Sequence, residues 1–289
     1  MDTVTVVIPS LGASNLLQTI SFLNAGSLVP DEILICVPDN TILEFDIPNN
    51  AKLIHCNKRS QVAQRAKGFK LATSEFILQL DDDTHLSTIC LENLVDAAVN
   101  LPLNCAVSAT LMNAQTKSSF YQYENIPTFF NIVRHFISNG LKGYVPGTVT
   151  SVGSCFGPEF SEVADSVINI EWLAGCCVLH RRDNLIHDDY YPYRGKAYAE
   201  DLIASYLYKQ KNITFYNSPK ALVYTQAAEP NEGSLLELLK ELRARRYYIT
   251  LSGLSTLHFY LYATFRCGYE MSINIPKRLV NRIRVGNAK

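Results

Sequence analysis

Short apolar runs that each stop at a proline or an aspartate, with helical spacing between them, are the feature that most restricts this chain. Val4–Ile8 is β-branched and is halted by Pro9, which cannot donate to a central ladder, so it reads as a buried first strand. Residues 14–25 follow with Leu16, Leu17, Ile20 and Leu23 on one helical face and Ser14 in the N-cap position. Glu32–Val37 is a second strand, ending at Pro38-Asp39-Asn40, and Lys52–Cys56 a third. Val62–Ala72 is a helix, Glu75–Leu80 a fourth strand that runs straight into Asp81-Asp82-Asp83, and 88–99 a further helix. This alternation predicts an α/β fold built on a doubly wound, mostly parallel sheet with flanking helices. Sheets of that kind bind ligands where loops leave the carboxyl ends of their strands, which is where Asp39 and the triple aspartate stand.

Beyond this block the pattern weakens. Residues 113–170 mix aromatic, Gly, Ser and Pro residues without a sustained period, the mark of an irregular stretch that carries specificity. Order returns in a strand over Ile170–His180, a helix from Glu200 to Lys209 and a strand at Thr214–Tyr216. Leu235, Leu238, Leu239, Leu242 and Ile249 then share one helical face. The expected organisation is a domain over 1–234, its donor half about 1–110 and its acceptor half about 111–234, followed by an amphipathic, basic helical region over 235–289.

Composition enters through charge and cysteine. The 289 residues carry a net charge of −1, unevenly spread: residues 240–289 hold ten Lys/Arg against Glu241 and Glu270, and the first 239 hold 16 basic against 25 acidic residues. A basic end on an acidic body points to an anionic surface. The longest uncharged stretch, Tyr247–Phe265, is long enough to span a bilayer but carries Thr250, Ser252, Gly253, Ser255, Thr256, His258 and Thr264, so lying on a membrane suits it better than crossing one. Arg243, Arg245 and Arg246 before it and Lys277, Arg278, Arg282 and Arg284 after it are placed as an interfacial anchor beside anionic lipid requires; a core helix flanked by solvated charges is the plainer alternative. No nucleic-acid partner is expected, because the aromatics there are not interleaved with basic residues. The eight scattered cysteines contain no C-x-x-C and read as reduced thiols, and the first residues lack a basic, long apolar leader. The expected location is cytoplasmic, peripheral to the inner face of the membrane.

Three adjacent carboxylates at a strand end repel one another unless a cation or solvent compensates. In an extended segment Asp81 and Asp83 project to the same side, so the two can share one ion, and two carboxylates completed by phosphate oxygens and water suit Mg2+ or Mn2+.

Val6-Val-Ile-Pro9, Gln64-Arg65-Ala66-Lys67-Gly68 and Phe76-Ile-Leu-Gln-Leu-Asp-Asp-Asp83 together resemble, in order and approximate spacing, the family 2 inverting glycosyltransferases of GT-A fold. A second block, Trp172-Leu-Ala-Gly-Cys-Cys-Val-Leu-His-Arg-Arg182 followed by Ala199-Glu200-Asp201, is similar to that family's acceptor-side strand and its E-D pair. The resemblance implies that Asp81 and Asp83 take a metal-bridged diphosphate, that Pro9, Asp39, Arg65 and Asp82 contact the nucleotide, and that Asp201, or Glu200 beside it, is the base. Trp172, the single tryptophan, stacks on a sugar or packs in the core; Gly175 admits a close approach to donor or acceptor or marks a bulge. The implied substrates are a nucleotide-sugar donor and a glycan or lipid-linked acceptor. The Q-x-x-R-W sequence of processive synthases is absent, which favours transfer of a single sugar, and Val223-Tyr-Thr-Gln226 lacks the His that many members place there, leaving a third metal ligand unassigned. A dehydrogenase would need G-x-G-x-x-G where Ser10-Leu11-Gly12-Ala13-Ser14-Asn15 stands, and a nucleotidyltransferase would need basic residues in that loop. A degenerate transferase domain that binds a partner or a membrane is the alternative from another class.

Overall fold

The computed structural model describes residues 2–121, 128–159, 166–225 and 235–274, with the side chains of 273–274 left aside. A single sheet organises the chain, in the order β3(Ala51–Cys56), β2(Glu32–Pro38), β1(Val4–Pro9), β4(Phe76–Leu80), β8(Cys177–Arg181), β6(Cys105–Asn113), β9(Thr214–Thr225), β5(His85–Leu86), with β7(Ile168–Ile170) also on β9. The ladders β3–β2–β1–β4 and β6–β9 are parallel; β8 runs antiparallel to both β4 and β6, and β5 and β7 antiparallel to β9.

β1, β2 and β4 are buried almost throughout because helices cover both faces, whereas the edge strand β3 exposes Lys52 and His55. Val4, Val6 and Ile8 of β1 and Ile33, Ile35 and Val37 of β2 pack beneath α1(Asn15–Asn24) and α3(Cys90–Val99), with Leu16, Ile20, Leu23, Leu91 and Leu94 filling the layer. Val7, Leu34 and Cys36 face the other way, onto Phe69 of α2(Gln61–Leu71). Gln64 of α2 donates to the carbonyls of Ser10 (2.7 Å) and Cys36 (2.5 Å), tying together the ends of β1 and β2. After β3 the chain returns to place β4 on the opposite side of β1, so the order reverses between β1 and β4 and their carboxyl ends open side by side.

The structure departs from the sequence reading in several places. Ile170–His180 is not one strand: β7 ends at Ile170, residues 171–176 turn, and β8 starts at Cys177. The segment is apolar because the turn itself is buried. The last sheet strand runs to Thr225, passing Pro219 by a register shift in which Ala109 faces Ser218 and Thr110 faces Leu222; the bulge accommodates a residue that cannot donate. The irregular 113–170 stretch contains α4(Phe129–Asn139), whose Thr128 caps the Asn131 amide. Ser14 stands at the start of α1 without a side-chain capping bond. Tyr247–Phe265 is not a continuous helix: α6(Leu235–Ser252) ends at Gly253, in the left-handed region at φ 70°, and α7(Thr256–Tyr269) begins anew with Ser255 capping the His258 amide. Leu238, Leu242 and Ile249 of α6 are buried against α5(Glu200–Gln210) and its neighbours, but Leu239 is exposed. No helix among the described residues is long and apolar enough to cross a membrane. Gln226, Lys277, Arg278, Arg282 and Arg284 lie outside the described residues.

Candidate active site

The carboxyl ends of β1 and β4 open into a cavity of about 610 Å³ lined by Pro9, Ser10, Asp81, Asp82 and Asp83, with Arg59 and Lys196 on its walls. The three aspartates do not continue the strand: Asp82 and Asp83 form a turn, so strict alternation of their side chains does not apply. Ser10 donates to Asp82 Oδ2 at 2.5 Å, and Thr19 of α1 donates to the Asp82 carbonyl at 2.9 Å, fixing the middle residue. Asp81 accepts at Oδ1 from Gln61 (2.9 Å) and from Arg65 Nη2 (2.6 Å), leaving Oδ2 without a partner among the described residues. Asp83 is exposed and makes no ion pair there. Burial pushes the Asp81 and Asp82 carboxyls up, opposed by Arg65 at the first and Ser10 at the second.

Arg65 is 3% exposed and both terminal nitrogens of its guanidinium are engaged in the interior, Nη2 with Asp81 and Nη1 with Glu200 at 3.0 Å, while its buried Nε has no hydrogen-bond partner among the described residues. Burial opposes its charge, but Glu200 and Asp81 hold it protonated. It stands behind the carboxylates and does not itself line the cavity. Glu200 is equally committed. It is 5% exposed, with one oxygen on Arg65 and the other accepting from the Tyr190 hydroxyl, and it does not line the cavity.

Asp201, next along α5, is partly exposed; its Oδ1 accepts from the Gly175 amide at 3.1 Å. Burial, then the adjacent Glu200, push its carboxyl well above the usual carboxylate range, with Arg65 partly offsetting them. It does not line the 610 Å³ cavity. Gly175 occupies the buried turn before β8, where its carbonyl accepts from Gln79 (2.5 Å) and Arg65 (3.4 Å). A Cβ there would fall onto Asp201 Oδ1, so this glycine permits a close approach to that carboxylate and to the Gln79 amide.

The structure also places two further candidates. Trp172 is buried, its indole N–H donates to the Phe156 carbonyl at 2.9 Å, and its ring meets Tyr121 edge-on, so it is a core residue and not a stacking platform. Asp39 lies outside the carboxylate cleft, in a neighbouring depression of about 950 Å³ with Leu43, Phe45 and His55. Sequence reasoning gave no role to Gln61, Gln64, Gln79 or Tyr190. Gln64 and Gln79 stand inside the quoted motifs and Gln61 one helical turn before Arg65, and nothing local marks them as polar groups aimed inward. His180 is buried between Phe69 and Tyr208, away from the cleft.

Among the described residues no group of three or more His, Cys, Asp or Glu is arranged to hold a metal. What the cleft supplies is an all-oxygen, two-carboxylate set, Asp81 Oδ2 and Asp83, which fits a hard divalent ion that takes its remaining ligands from phosphate and water.

No curated protein matches the sequence. Solved structures do. GalNAc-T7, in a crystal structure with UDP, GalNAc and Mn2+, aligns with 84% of this chain at 16% identity and TM-score 0.55; the chain spans 48% of that protein, about half its length. The mannosyltransferase PcManGT from Pyrobaculum calidifontis, in complex with GDP-Man and Mn2+, aligns with 99% of this chain and 75% of its own at 13% identity and TM-score 0.52. These likenesses match the architecture described above and give the fold as GT-A. The model of the family described as Glycosyl transferase family 2 matches residues 5–157, which takes in β1, α2, β4 and the aspartate turn. With more than half of its length matched and the carboxylate turn at the switch point of a GT-A sheet, the chain belongs to glycosyl transferase family 2.

Proposed function

We propose that this chain transfers one sugar from a nucleotide-sugar donor to a hydroxyl of a glycan or lipid-linked acceptor, with inversion at the anomeric carbon. The observation that carries the reading is the connected set Asp81–Arg65–Glu200–Asp201–Gly175: a cleft carboxylate and a candidate base held in one hydrogen-bonded frame at the switch point. Asp81 and Asp83 would hold Mg2+ or Mn2+, and GalNAc-T7 and PcManGT, which have Mn2+ with UDP and GDP-Man, support a divalent ion on the donor. When bound, such an ion offsets the charge that develops on the departing diphosphate.

The rest falls to the chain itself. Arg59 and Lys196 add positive charge to the cleft walls for phosphate oxygens. Asp201 removes the acceptor proton as the hydroxyl attacks; its raised affinity for protons makes it a better base than an ordinary carboxylate once ionised, and the Gly175 N–H orients it. Arg65, shared by Asp81 and Glu200, keeps donor and base sides in register. The eight cysteines are all free thiols, which supports a reducing, cytoplasmic setting.

Calorimetric titration with UDP, GDP, TDP and CDP, with and without Mn2+, tests the donor site. Metal-dependent binding of one nucleotide, lost in Asp83→Ala, is expected; binding of none by the folded chain would favour the degenerate, partner-binding alternative. Asp201→Asn should bind that nucleotide as the native chain does and transfer no sugar. Full transfer by this variant removes Asp201 as the base, and NMR assignment of the product anomer decides inversion.

A further inference from the structure

A set of exposed apolar side chains lies away from the cleft, on α4 and α7. Phe129, Ile132 and Phe136 recur on the outer face of α4, while His135 and Ser138 on its other face are buried. Leu257, Tyr260 and Leu261 do the same on α7, opposite buried Phe259 and Tyr262. The two helices are clamped antiparallel at both ends. Phe130 stacks on Phe265 and Tyr269 at centroid distances of 5.9 and 3.8 Å, and at the other end His258 Nε2 lies 2.8 Å from the Ile137 carbonyl. That carbonyl can only accept, so Nε2 carries a proton, and Nδ1 lies 3.1 Å from the Ser151 hydroxyl. Beyond α4, Gly140 and Gly143, both with positive φ, frame a one-turn 3₁₀ segment that holds Leu141 98% exposed, with exposed Lys142 beside it. A leucine displayed in this way is costly in water and has no packing role.

Exposed basic residues stand beside this surface. Lys240, Arg243 and Arg246 are exposed on α6 and make no ion pair among the described residues, and Arg246 reaches the Tyr260 ring at 5.7 Å, which joins the basic strip to the apolar face. The described chain ends just past exposed Met271, and the sequence after Asn274 adds Lys277, Arg278, Arg282, Arg284 and Lys289 with no acidic residue. A second copy is a poor occupant, because a two-fold contact would set this positive region against itself. Aromatic and leucine side chains rimmed by unpaired Lys and Arg match the headgroup boundary of an anionic bilayer.

We infer that the α4–α7 face, with Leu141 at its tip and the α6 strip at its rim, docks on an anionic phospholipid surface. The inference goes beyond the sugar-transfer reading and does not rest on it, since vesicle binding needs neither donor nor acceptor. It is tested by flotation of the full chain with phosphatidylcholine vesicles containing or lacking phosphatidylglycerol. Binding to the anionic vesicles, weakened by salt and reduced about tenfold or more in Phe136→Asp/Leu141→Asp and in Lys240→Glu/Arg243→Glu, is expected. Phe129→Trp should shift its emission to the blue when anionic vesicles are added, against the constant signal of buried Trp172. Absence of native binding, binding indifferent to both double variants, or a dimer seen by light scattering that Phe136→Asp/Leu141→Asp dissociates would each overturn the inference. So would retention of DNA or RNA by the native chain in preference to vesicles. Unchanged circular dichroism of the variants shows that a loss of binding is not a loss of fold.

Discussion

At Gly175 the Cβ of any other residue would fall onto the Asp201 carboxylate and stand 3.0 Å from Gln79 Nε2, so the smallest substitution displaces the candidate base. Displacement of about 1 Å at a reacting group costs on the order of 10²-fold, and Gly175→Ala should lower kcat/KM for sugar transfer by about that much while nucleotide affinity changes little. Steady-state rates within threefold of native would show that Asp201 is not held by this contact. A second residue matters to stability alone. His180 is buried with neither ring nitrogen hydrogen-bonded, and burial, then Arg65, lowers its pKa from 6.5 to about 3. The unfolded chain takes up this proton below pH 6.5 and the folded chain does not, so stability present above pH 6.5 is lost as pH falls toward 3. His180→Phe keeps the stacking on Tyr208 and removes that linkage. Urea unfolding should show the variant gaining about 2 kcal/mol on the native chain between pH 7 and pH 5; parallel pH dependences would mean that His180 titrates normally.

Helix α2 owes its position to Gly68, because a Cβ there would collide with Val7 of β1 and stand 2.9 Å from Cys36 Sγ of β2. The close approach lets Gln64 reach two strand-end carbonyls and Arg65 reach Asp81. Gly68→Ala therefore overpacks the layer and should cost about 2 kcal/mol in urea unfolding, with nucleotide binding weakened in step; a neutral effect on both would show that the helix can shift freely. Strands β1, β2 and β4 were legible because a strand covered on both faces must be almost wholly apolar, and the proline or aspartate that ends it is visible in the chain. The same logic misread Ile170–His180. Trp172 and Leu173 are buried in a turn whose amides are satisfied by Ser205 and Asp201 side chains, and apolar composition cannot distinguish such a turn from a strand. It also read Tyr247–Phe265 as one unit, although Gly253 and the Ser255 cap that divide it are both present in the sequence.

Over the whole molecule the sheet has two halves, β3–β2–β1–β4 and β8–β6–β9, and the Arg65–Glu200 pair joins the helix behind the first to the helix behind the second. Motif spacing brought Asp81, Asp83 and Asp201 into view as candidates, but not this pairing, since residues 135 apart in sequence carry no mark of which charges will be spent on each other. That is why Arg65 and Glu200 read as substrate contacts, although in the structure their charges face each other. The pair is nearly dry, so its members are worth little together and much apart. Arg65→Met strands Glu200 beside Asp201 and should cost about 3 to 5 kcal/mol of stability, while Glu200→Gln, which leaves Arg65 on Asp81, should cost less. In the double variant Arg65→Met/Glu200→Gln no charge of the pair is left buried, and its cost should fall below the sum of the single costs by at least about 1 kcal/mol. A double-mutant cycle by urea unfolding measures the coupling directly. Additivity within about 0.5 kcal/mol would mean that the two halves are joined by packing alone and that the donor carboxylates and the candidate base are held independently of one another.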